Sequence, residues 1–192
     1  FGNLVLSSLS AYALAKIDFP GNKFFFALIQ KSLMFSATVT GLVNFITLSW
    51  LGWIDTYLAI IIPAFASTLG LYLMKQFMET NVTTEVLESA RLDGASELRT
   101  FWSIAMPMVK PAWLTLIIYS FQGLWNAGQT NLIYSEQLKT LNYAISQITA
   151  GGVARTGASA ASTVVMMAVP ILVFVVSQSN IIETMGSSGM KD

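Results

Sequence analysis

Long apolar stretches separated by polar segments run along this chain. Five of them stand out, at residues 1–16, 32–50, 57–77, 112–131 and 160–179. A helix that crosses the hydrocarbon core of a membrane needs about 20 mostly apolar residues, and the last four stretches come close to that length. None of them alternates with a period of two, so the pattern favours helices over strands. The sequence therefore predicts an all-α, polytopic helical membrane protein with about five spans.

The composition supports a membrane protein with a single domain over residues 1–192. The chain is 54% hydrophobic and only 10% charged, whereas soluble domains carry roughly 25% charged residues. Its net charge is zero, so no basic face indicates nucleic acid. It contains no Cys and no His, which excludes disulfides and imidazole zinc sites. We predict no metal site, no catalytic residue and no enzymatic activity.

The basic residues predict which loops face the cytoplasm, because Lys and Arg are enriched on that side of a membrane. If the first apolar stretch runs inward, eight of them lie inside (Lys16, Lys23, Lys31, Lys75, Arg91, Arg99, Lys110 and Lys191) and two lie outside (Lys139 and Arg155). The polar loop at about 79–110 and the tail at about 180–192 are then cytoplasmic. The loop at about 132–159 faces the outside.

The polar loop at 79–110 has the sequence features of two short helices joined by a glycine. Thr84 can cap the first helix, and Glu85 suits the positive end of the helix dipole. Gly94 suits the left-handed position that often ends a helix, and Ser96 can begin the next one. Pro107 marks the entry into the following apolar stretch, where a missing N–H costs little.

A motif in this loop resembles the EAA loop of the inner-membrane permeases of ATP-binding-cassette (ABC) importers, EAA-x3-G-x9-I-x-L-P. The chain keeps that spacing, with Ser89 in place of Ala and Met106 in place of Leu. The resemblance implies that the first helix docks on a separate ATPase subunit, with Glu88 facing a basic residue of that subunit. The implied docking residues are Glu88, Ser89, Ala90, Asp93, Gly94, Ile104 and Pro107. Taken singly, Glu88 can instead pair with Arg91 along the helix, and Gly94 can be an ordinary helix stop.

Further segments resemble the carbohydrate-uptake permeases, and specifically the smaller, six-span subunit of the maltose-type pair. They are Ser10–Lys16, Asp18–Gly21, Leu51–Tyr57, Gln76-Phe77, Arg91–Arg99 and Trp125-Asn126. The family usually has an acidic residue after the last of these, where this chain has Ala127. Phe1 is not an initiator Met and the apolar sequence has already begun at Leu4, so we expect a longer protein whose first span precedes residue 1.

Uncharged polar residues mark one candidate path for a substrate. Tyr119, Gln122, Asn126 and Gln129 fall on one side of a helix over 112–131, with Trp125 beside them as a possible stacking surface. Every Asp and Glu lies in a loop or at the end of a span, so no proton path is evident. Such a face suits a neutral sugar. It equally suits helix–helix packing, since polar side chains are common at membrane helix interfaces.

The family resemblance implies the permease subunit of a sugar importer that works by alternating access. Its partners are a second permease subunit, an ATPase dimer that binds ATP and Mg, an extracellular or periplasmic sugar-binding protein, and the lipid of a prokaryotic plasma membrane. The chain itself is expected to bind no cofactor. The alternatives are an ABC importer of another solute such as a peptide or phosphate, an ion-coupled carrier, and a membrane scaffold.

Overall fold

The computed structural model describes residues 1–35, 37–126, 132–150 and 156–188. Every regular element in these ranges is a helix, which confirms the all-α prediction. The α-helices are α1 (Gly2–Lys16), α2 (Asn22–Ser32), α3 (Ala37–Trp50), α4 (Leu58–Phe65), α5 (Thr68–Asn81), α6 (Thr84–Leu92), α7 (Glu97–Thr100), α8 (Met106–Met108), α9 (Lys110–Trp125), α10 (Leu141–Ala150) and α11 (Thr156–Ser188). A π-helix (Phe101–Ala105) and a 3-10 helix (Glu136–Leu138) accompany them.

In the described part of the chain, not every apolar stretch forms one continuous helix that is long enough to cross a membrane. In the described ranges, Leu58–Asn81 and Thr156–Val175 are long and apolar enough to cross a membrane. A third span is present if Glu97–Met108 and Lys110–Trp125, bent by 84°, are taken together. The first stretch gives only the 15 residues of α1. The second is interrupted by a turn at 33–35, which separates α2 from α3.

The chain divides into two compact units. The first unit comprises Phe1–Thr40 and Phe65–Ile117, and the second comprises Gly41–Ala64 and Ile118–Asp192. The single domain over residues 1–192 stays a prediction.

In the first unit, an apolar core joins α1, α5 and the loop at 79–110. Its buried members are Ala11, Tyr12, Met74, Met78, Val82, Leu87, Phe101, Ala105, Met106, Val109, Ala112 and Leu116. Complete burial of one such large side chain stabilises the fold by about 1.5–3 kcal/mol. Gly70 permits the close approach of α5 to α9, since a Cβ there would lie 2.5 Å from the Leu116 side chain. The polar loop is therefore packed into this core.

In the second unit, the outer loop predicted at 132–159 is largely structured where it is described. It contains the 3-10 helix and α10, and α11 begins within its last residues. Asp55 fastens the start of this loop, because its carboxylate accepts hydrogen bonds from the backbone N–H groups of Tyr134 and Ser135, both at 2.8 Å. The Asp55 N–H in turn donates to the Leu132 carbonyl at 2.7 Å. These bonds close a clip between residues 55 and 132–135.

Loss of the Asp55 carboxylate should release this clip. Hydrogen bonds from Ser135 and Tyr134 hold the pKa of Asp55 below its usual 3.8. The clip is therefore complete above that pH and is lost as the pH falls through the lowered value. We expect faster amide exchange at Tyr134 and Ser135 in Asp55→Ala than in Asp55→Asn, because Asn tolerates the positive φ of 62° and keeps one acceptor oxygen. Equal exchange in both variants and the unmodified chain would contradict this role.

Candidate docking site

The first helix of the polar loop, α6, ends in a Schellman motif at Gly94. The Gly94 N–H bonds to the Arg91 carbonyl and the Ala95 N–H bonds to the Ala90 carbonyl, each at 3.0 Å. Gly94 adopts a φ of +79°, in the left-handed region that side chains disfavour. A Cβ at this position would meet no atom within 4 Å beyond the adjoining residues, so backbone conformation rather than space requires the glycine. The predicted left-handed stop is confirmed.

Of the two helix starts predicted in the loop, one is confirmed and the other is wrong. Ser96 begins α7 with an extended backbone, and its Oγ accepts a hydrogen bond from the Arg99 N–H at 3.4 Å, as predicted. The first helix is capped one residue earlier than expected. Thr83, with φ −77° and ψ 148°, is its N-cap, and no side-chain capping bond is formed. Thr84 has helical backbone as the first residue of α6, so the prediction that it caps the helix is wrong.

The predicted docking residues divide between exposed and buried positions. Ala90 is buried, 7% exposed, on the same side as the fully buried Leu87. Ile104 is half-buried in the π-helix. The remaining members are exposed: Glu88, Ser89, Asp93, Gly94 and Pro107. The structure thus brings most of the predicted set to the surface of one loop, while Ala90 anchors α6 to the core.

One carboxylate closes the turn between α6 and α7. Glu97 Oε1 accepts a hydrogen bond from Arg91 Nε at 2.7 Å, and Glu97 Oε2 accepts one from the Tyr12 hydroxyl at 3.0 Å. The hydrogen bond from Arg91 is the main reason why the pKa of Glu97 lies below its usual range. The same bond raises the pKa of Arg91. Arg91 thus forms its hydrogen-bonded ion pair with Glu97, while Glu88 adds a weaker electrostatic attraction to the same guanidinium.

This ion pair adds little to overall stability. The side chains of Arg91 and Glu97 are 39% and 47% exposed, and exposed pairs contribute about 0–1 kcal/mol. Burial of Phe101 and Leu87, each about 1% exposed, contributes more. The fold of the loop is therefore set by its apolar contacts, and the charged groups fix its finer geometry.

A proline-containing elbow connects the loop to α9. Pro107 has no N–H to donate to the Ser103 carbonyl, and the preceding N–H, of Met106, instead bonds five residues back to Phe101. This produces the π-helix. Val109 then leaves helical geometry, and the chain turns by 84° into α9. Trp113 Nε1 donates to the Met106 carbonyl at 3.1 Å across the break. The Met106 carbonyl at the bend thus has a side-chain partner, which is how membrane helices tolerate such breaks.

The candidate substrate path lies in the second unit. Tyr119, Gln122 and Asn126 are exposed at a spacing of three and four residues, and share one side of α9 and its end. Trp125 is half-buried: its ring stacks on Phe121 at 5.7 Å, and its carbonyl accepts a hydrogen bond from Asn142 Nδ2 at 2.9 Å. Gln129 lies outside the described residues. Among the described residues, no group of three or more acidic, Cys or His side chains is placed to hold a metal.

Two features of the loop are not predicted by the sequence analysis. Leu92, at the end of α6, is 89% exposed, whereas its apolar character suggests a buried position. The available signal in the sequence is an apolar residue next to Asp93 within a polar loop. Tyr12 lies 85 positions from Glu97 in the sequence, so no local pattern indicates that the two side chains meet.

Comparison with solved structures shows which fold the chain has. The fold matches a chain in the crystal structure of a bacterial ABC transporter involved in the import of the acidic polysaccharide alginate, with a TM-score of 0.73 over 99% of this chain and 69% of that one. Sequence identity is 22%, so this match shows the fold alone. This chain therefore has the fold of that transporter's chain.

The family follows from the sequence. Residues 3–185 match the model of the binding-protein-dependent transport system inner membrane components, and the chain belongs to that family. The predicted recognition, as a permease subunit of the carbohydrate ABC importer type, is confirmed at the level of the family. Members are transport components and have no catalytic site of their own.

Individual relatives carry several substrate names. The chain is 35% identical over 125 residues to the sn-glycerol-3-phosphate transport system permease protein UgpE of Yersinia enterocolitica, a match covering 65% of this chain and 44% of that protein. It is 34% identical to Protein LplC of Bacillus subtilis, over 65% and 41% of the two chains. It is 32% identical to the arabinooligosaccharides transport system permease protein AraQ of Halalkalibacterium halodurans, over 65% and 44%. The chain thus spans less than half the length of these relatives.

Proposed function

We propose that this chain is part of the membrane-spanning subunit of an ATP-driven importer that carries a sugar or an oligosaccharide. The subunit alternates between outward-open and inward-open states. It works with a second permease subunit, two ATPase subunits that bind ATP and Mg, and an external sugar-binding protein. The chain itself binds no cofactor. An arabinooligosaccharide permease among the relatives supports a carbohydrate substrate.

The observation that carries the proposal is the firm seating of α6. Leu87 and Ala90 are buried beneath the helix, the Schellman turn at Gly94 closes its end, and Glu88 is exposed on its surface. A helix held in this way moves together with the core beneath it. Force applied by an ATPase subunit at Glu88 would therefore reach α1 and α5 rather than being absorbed by a flexible loop.

The exposed end of α6 has the chemistry of a docking surface. Leu92 offers an exposed apolar side chain, 89% exposed, one helical turn after Glu88 and next to Asp93 in the sequence. An exposed apolar side chain with charged neighbours is typical of protein interfaces. In these, a buried apolar centre gives affinity and a polar rim gives orientation. We infer that the ATPase subunit presents an apolar cleft with basic residues at its edge.

The substrate path is assigned to the exposed polar side of α9. Tyr119, Gln122 and Asn126 offer a hydroxyl and two amides, groups that hydrogen-bond sugar hydroxyls. No Asp, Glu, Lys or Arg occurs between residues 111 and 135, which suits a neutral solute. The competing interpretation is that these polar groups pack α9 against other helices.

The two interpretations of this polar side differ in the kinetics of one variant. We expect Gln122→Leu in the full-length protein to raise the substrate concentration needed for half-maximal uptake several-fold while the complex still assembles. Leu124→Met, at a half-exposed position on the same helix, serves as the matched control and should leave uptake unchanged. Normal uptake with impaired assembly in Gln122→Leu would assign the face to packing.

A second candidate substrate is a phosphorylated polyol. It is favoured by the relatives whose name gives sn-glycerol 3-phosphate as the transported compound. A phosphate group needs cationic or N–H donors, and residues 111–135 carry no cation. The charge would have to be met elsewhere in the complex.

Solute uptake tests the proposed function directly. The full-length permease is reconstituted with its partner subunits and binding protein in vesicles. Neutral sugars and oligosaccharides, sn-glycerol 3-phosphate, inorganic phosphate and a dipeptide are then offered, with and without internal ATP. We expect ATP-dependent uptake of a sugar that persists when an ionophore collapses the proton gradient. Uptake of only another class would change the substrate, and uptake driven by the gradient without ATP would overturn the proposal.

A further inference from the structure

Glu97 links three helices of the first unit through one carboxylate. Its Oε1 accepts a hydrogen bond from Nε of Arg91 in α6 at 2.7 Å. Its Oε2 accepts one from the hydroxyl of Tyr12 in α1 at 3.0 Å. Glu97 itself is the first residue of α7. We call these three residues, Tyr12, Arg91 and Glu97, the clasp. The clasp joins the helix proposed to meet the ATPase to a helix that is distant from it in the sequence.

The Tyr12 end of the clasp is held rigidly. Tyr12 is 3% exposed, and its ring meets Phe101 edge to face with the centroids 5.4 Å apart. Phe101 is 1% exposed. Because packing already fixes the Tyr12 ring, the side chain loses little conformational entropy when its hydroxyl donates a hydrogen bond to Glu97. The hydroxyl therefore acts as a fixed point against which the loop is positioned.

The Arg91 end supplies the charge. A charge-assisted bond to an ionised carboxylate is shorter and stronger than a neutral one, and the 2.7 Å distance fits that class. Yet the two side chains are 39% and 47% exposed, so the pair adds little to global stability. Removal of the clasp is expected to leave the apolar core, and hence the fold, in place. What it changes is the angle at which α6 is held relative to α1.

We propose that Tyr12, Arg91 and Glu97 are positioning residues that transmit movement of the α6 docking helix to α1. This proposal rests on the proposed function, because it takes α6 as the element that the ATPase moves. With the clasp closed, displacement of α6 displaces α1. With the clasp open, part of that displacement is absorbed at the Gly94 turn, and ATP is hydrolysed without a matching movement of the spans.

The test is the number of ATP molecules hydrolysed per solute molecule transported. It uses the full-length permease in assembled, reconstituted complexes. Tyr12→Phe removes one oxygen atom and Glu97→Gln removes the charge, so the expected result is a coupling ratio raised about threefold or more in both. Tyr72→Phe is the matched control: its ring stacks on Phe26 in the same unit, and the ratio should stay unchanged. A normal ratio in Tyr12→Phe and Glu97→Gln would overturn the proposal, as would loss of assembly in both, which would make the contact structural.

A second readout does not depend on transport. In the detergent-solubilised full-length chain, opening the clasp should speed amide exchange at Gly94 and Ala95, whose N–H groups close the turn beside it. Unchanged exchange in Tyr12→Phe and Glu97→Gln would overturn the clasp even if no solute is found. Failure of the proposed function has a different signature, because then the unmodified complex itself shows no solute-dependent ATP hydrolysis.

Discussion

Gly94→Pro in the full-length protein is expected to abolish coupled transport while leaving membrane insertion intact. Proline fixes φ near −65°, whereas Gly94 has φ +79°. Proline also removes the N–H that bonds the Arg91 carbonyl at 3.0 Å. The turn that aims α6 is then lost, because its backbone conformation and its hydrogen bond both exclude proline. A loss of about 3 kcal/mol in docking would lower affinity for the ATPase about a hundredfold, since each 1.4 kcal/mol is tenfold.

Gly94→Asn is the matched control for this variant. Asn enters the left-handed region more readily than other residues with a side chain, and a Cβ at this position meets nothing within 4 Å. Uptake should therefore stay within about a factor of a few of the unmodified protein, because the strain is well under the roughly 1–2 kcal/mol of an ordinary residue. Uptake and membrane insertion are measured in the same cells. Normal uptake by Gly94→Pro would show that the turn has no part in coupling.

Glu88→Lys is expected to have the second large effect. Glu88 is exposed on α6, and the Arg91 side chain beside it is engaged by Glu97. The Glu88 side chain is therefore accessible to the proposed ATPase subunit. Loss of one partner in a buried charge pair at an interface costs about 2–5 kcal/mol. We expect Glu88→Lys to lose copurification with the ATPase subunit, and Glu88→Gln to retain it in part.

Glu136→Lys provides the matched control for charge reversal. It makes the same change of charge at an exposed residue of the 3-10 helix, in the loop predicted to face the opposite side of the membrane. ATPase copurification should be unaffected in this variant. Equal losses in Glu88→Lys and Glu136→Lys would point to a general effect of charge on folding, and normal copurification of Glu88→Lys would remove Glu88 from the docking site.

Local signals in the sequence are sufficient to predict where α6 ends and where α7 begins. Gly94 and Ser96 take the backbone roles predicted for them, because a left-handed stop and an N-cap depend on a few neighbouring residues. The start of α6 is displaced by one residue, from Thr84 to Thr83. Two adjacent threonines have nearly equal capping tendency, so the sequence alone does not select between them. Val82, the residue before Thr83, is fully buried, and its packing is a tertiary contact that can fix where the helix begins.

Long-range contacts are beyond the reach of the sequence. The rule for residues three apart in a helix offers Arg91 as a partner for Glu88. The turn at Gly94 instead returns the chain so that Glu97 meets Arg91 six positions later. Tyr12 joins the same carboxylate only because α1 packs against the π-helix. These contacts are consequences of tertiary packing, and no pattern in either segment encodes them.

Hydropathy does not show where an apolar stretch is interrupted. The stretch at 32–50 is mostly apolar, yet a turn at 33–35 precedes an apolar helix of only Val39–Trp50 in the described part of the chain. Conversely, the outer loop resembles a connector in the sequence because α10 has ten residues, too few to register as a span. Helices of this length are placed by contacts such as those of Asn142 with Trp125, which composition does not show.

The most direct test of the account is ATP hydrolysis by the full-length permease, reconstituted with its partner permease, ATPases and binding protein, as solutes are added in turn. The account predicts that one class of sugar stimulates hydrolysis, and that Glu88→Lys loses this stimulation while the two permease subunits still assemble. Stimulation that survives Glu88→Lys, or an assembled unmodified complex whose hydrolysis responds to no solute, would contradict it.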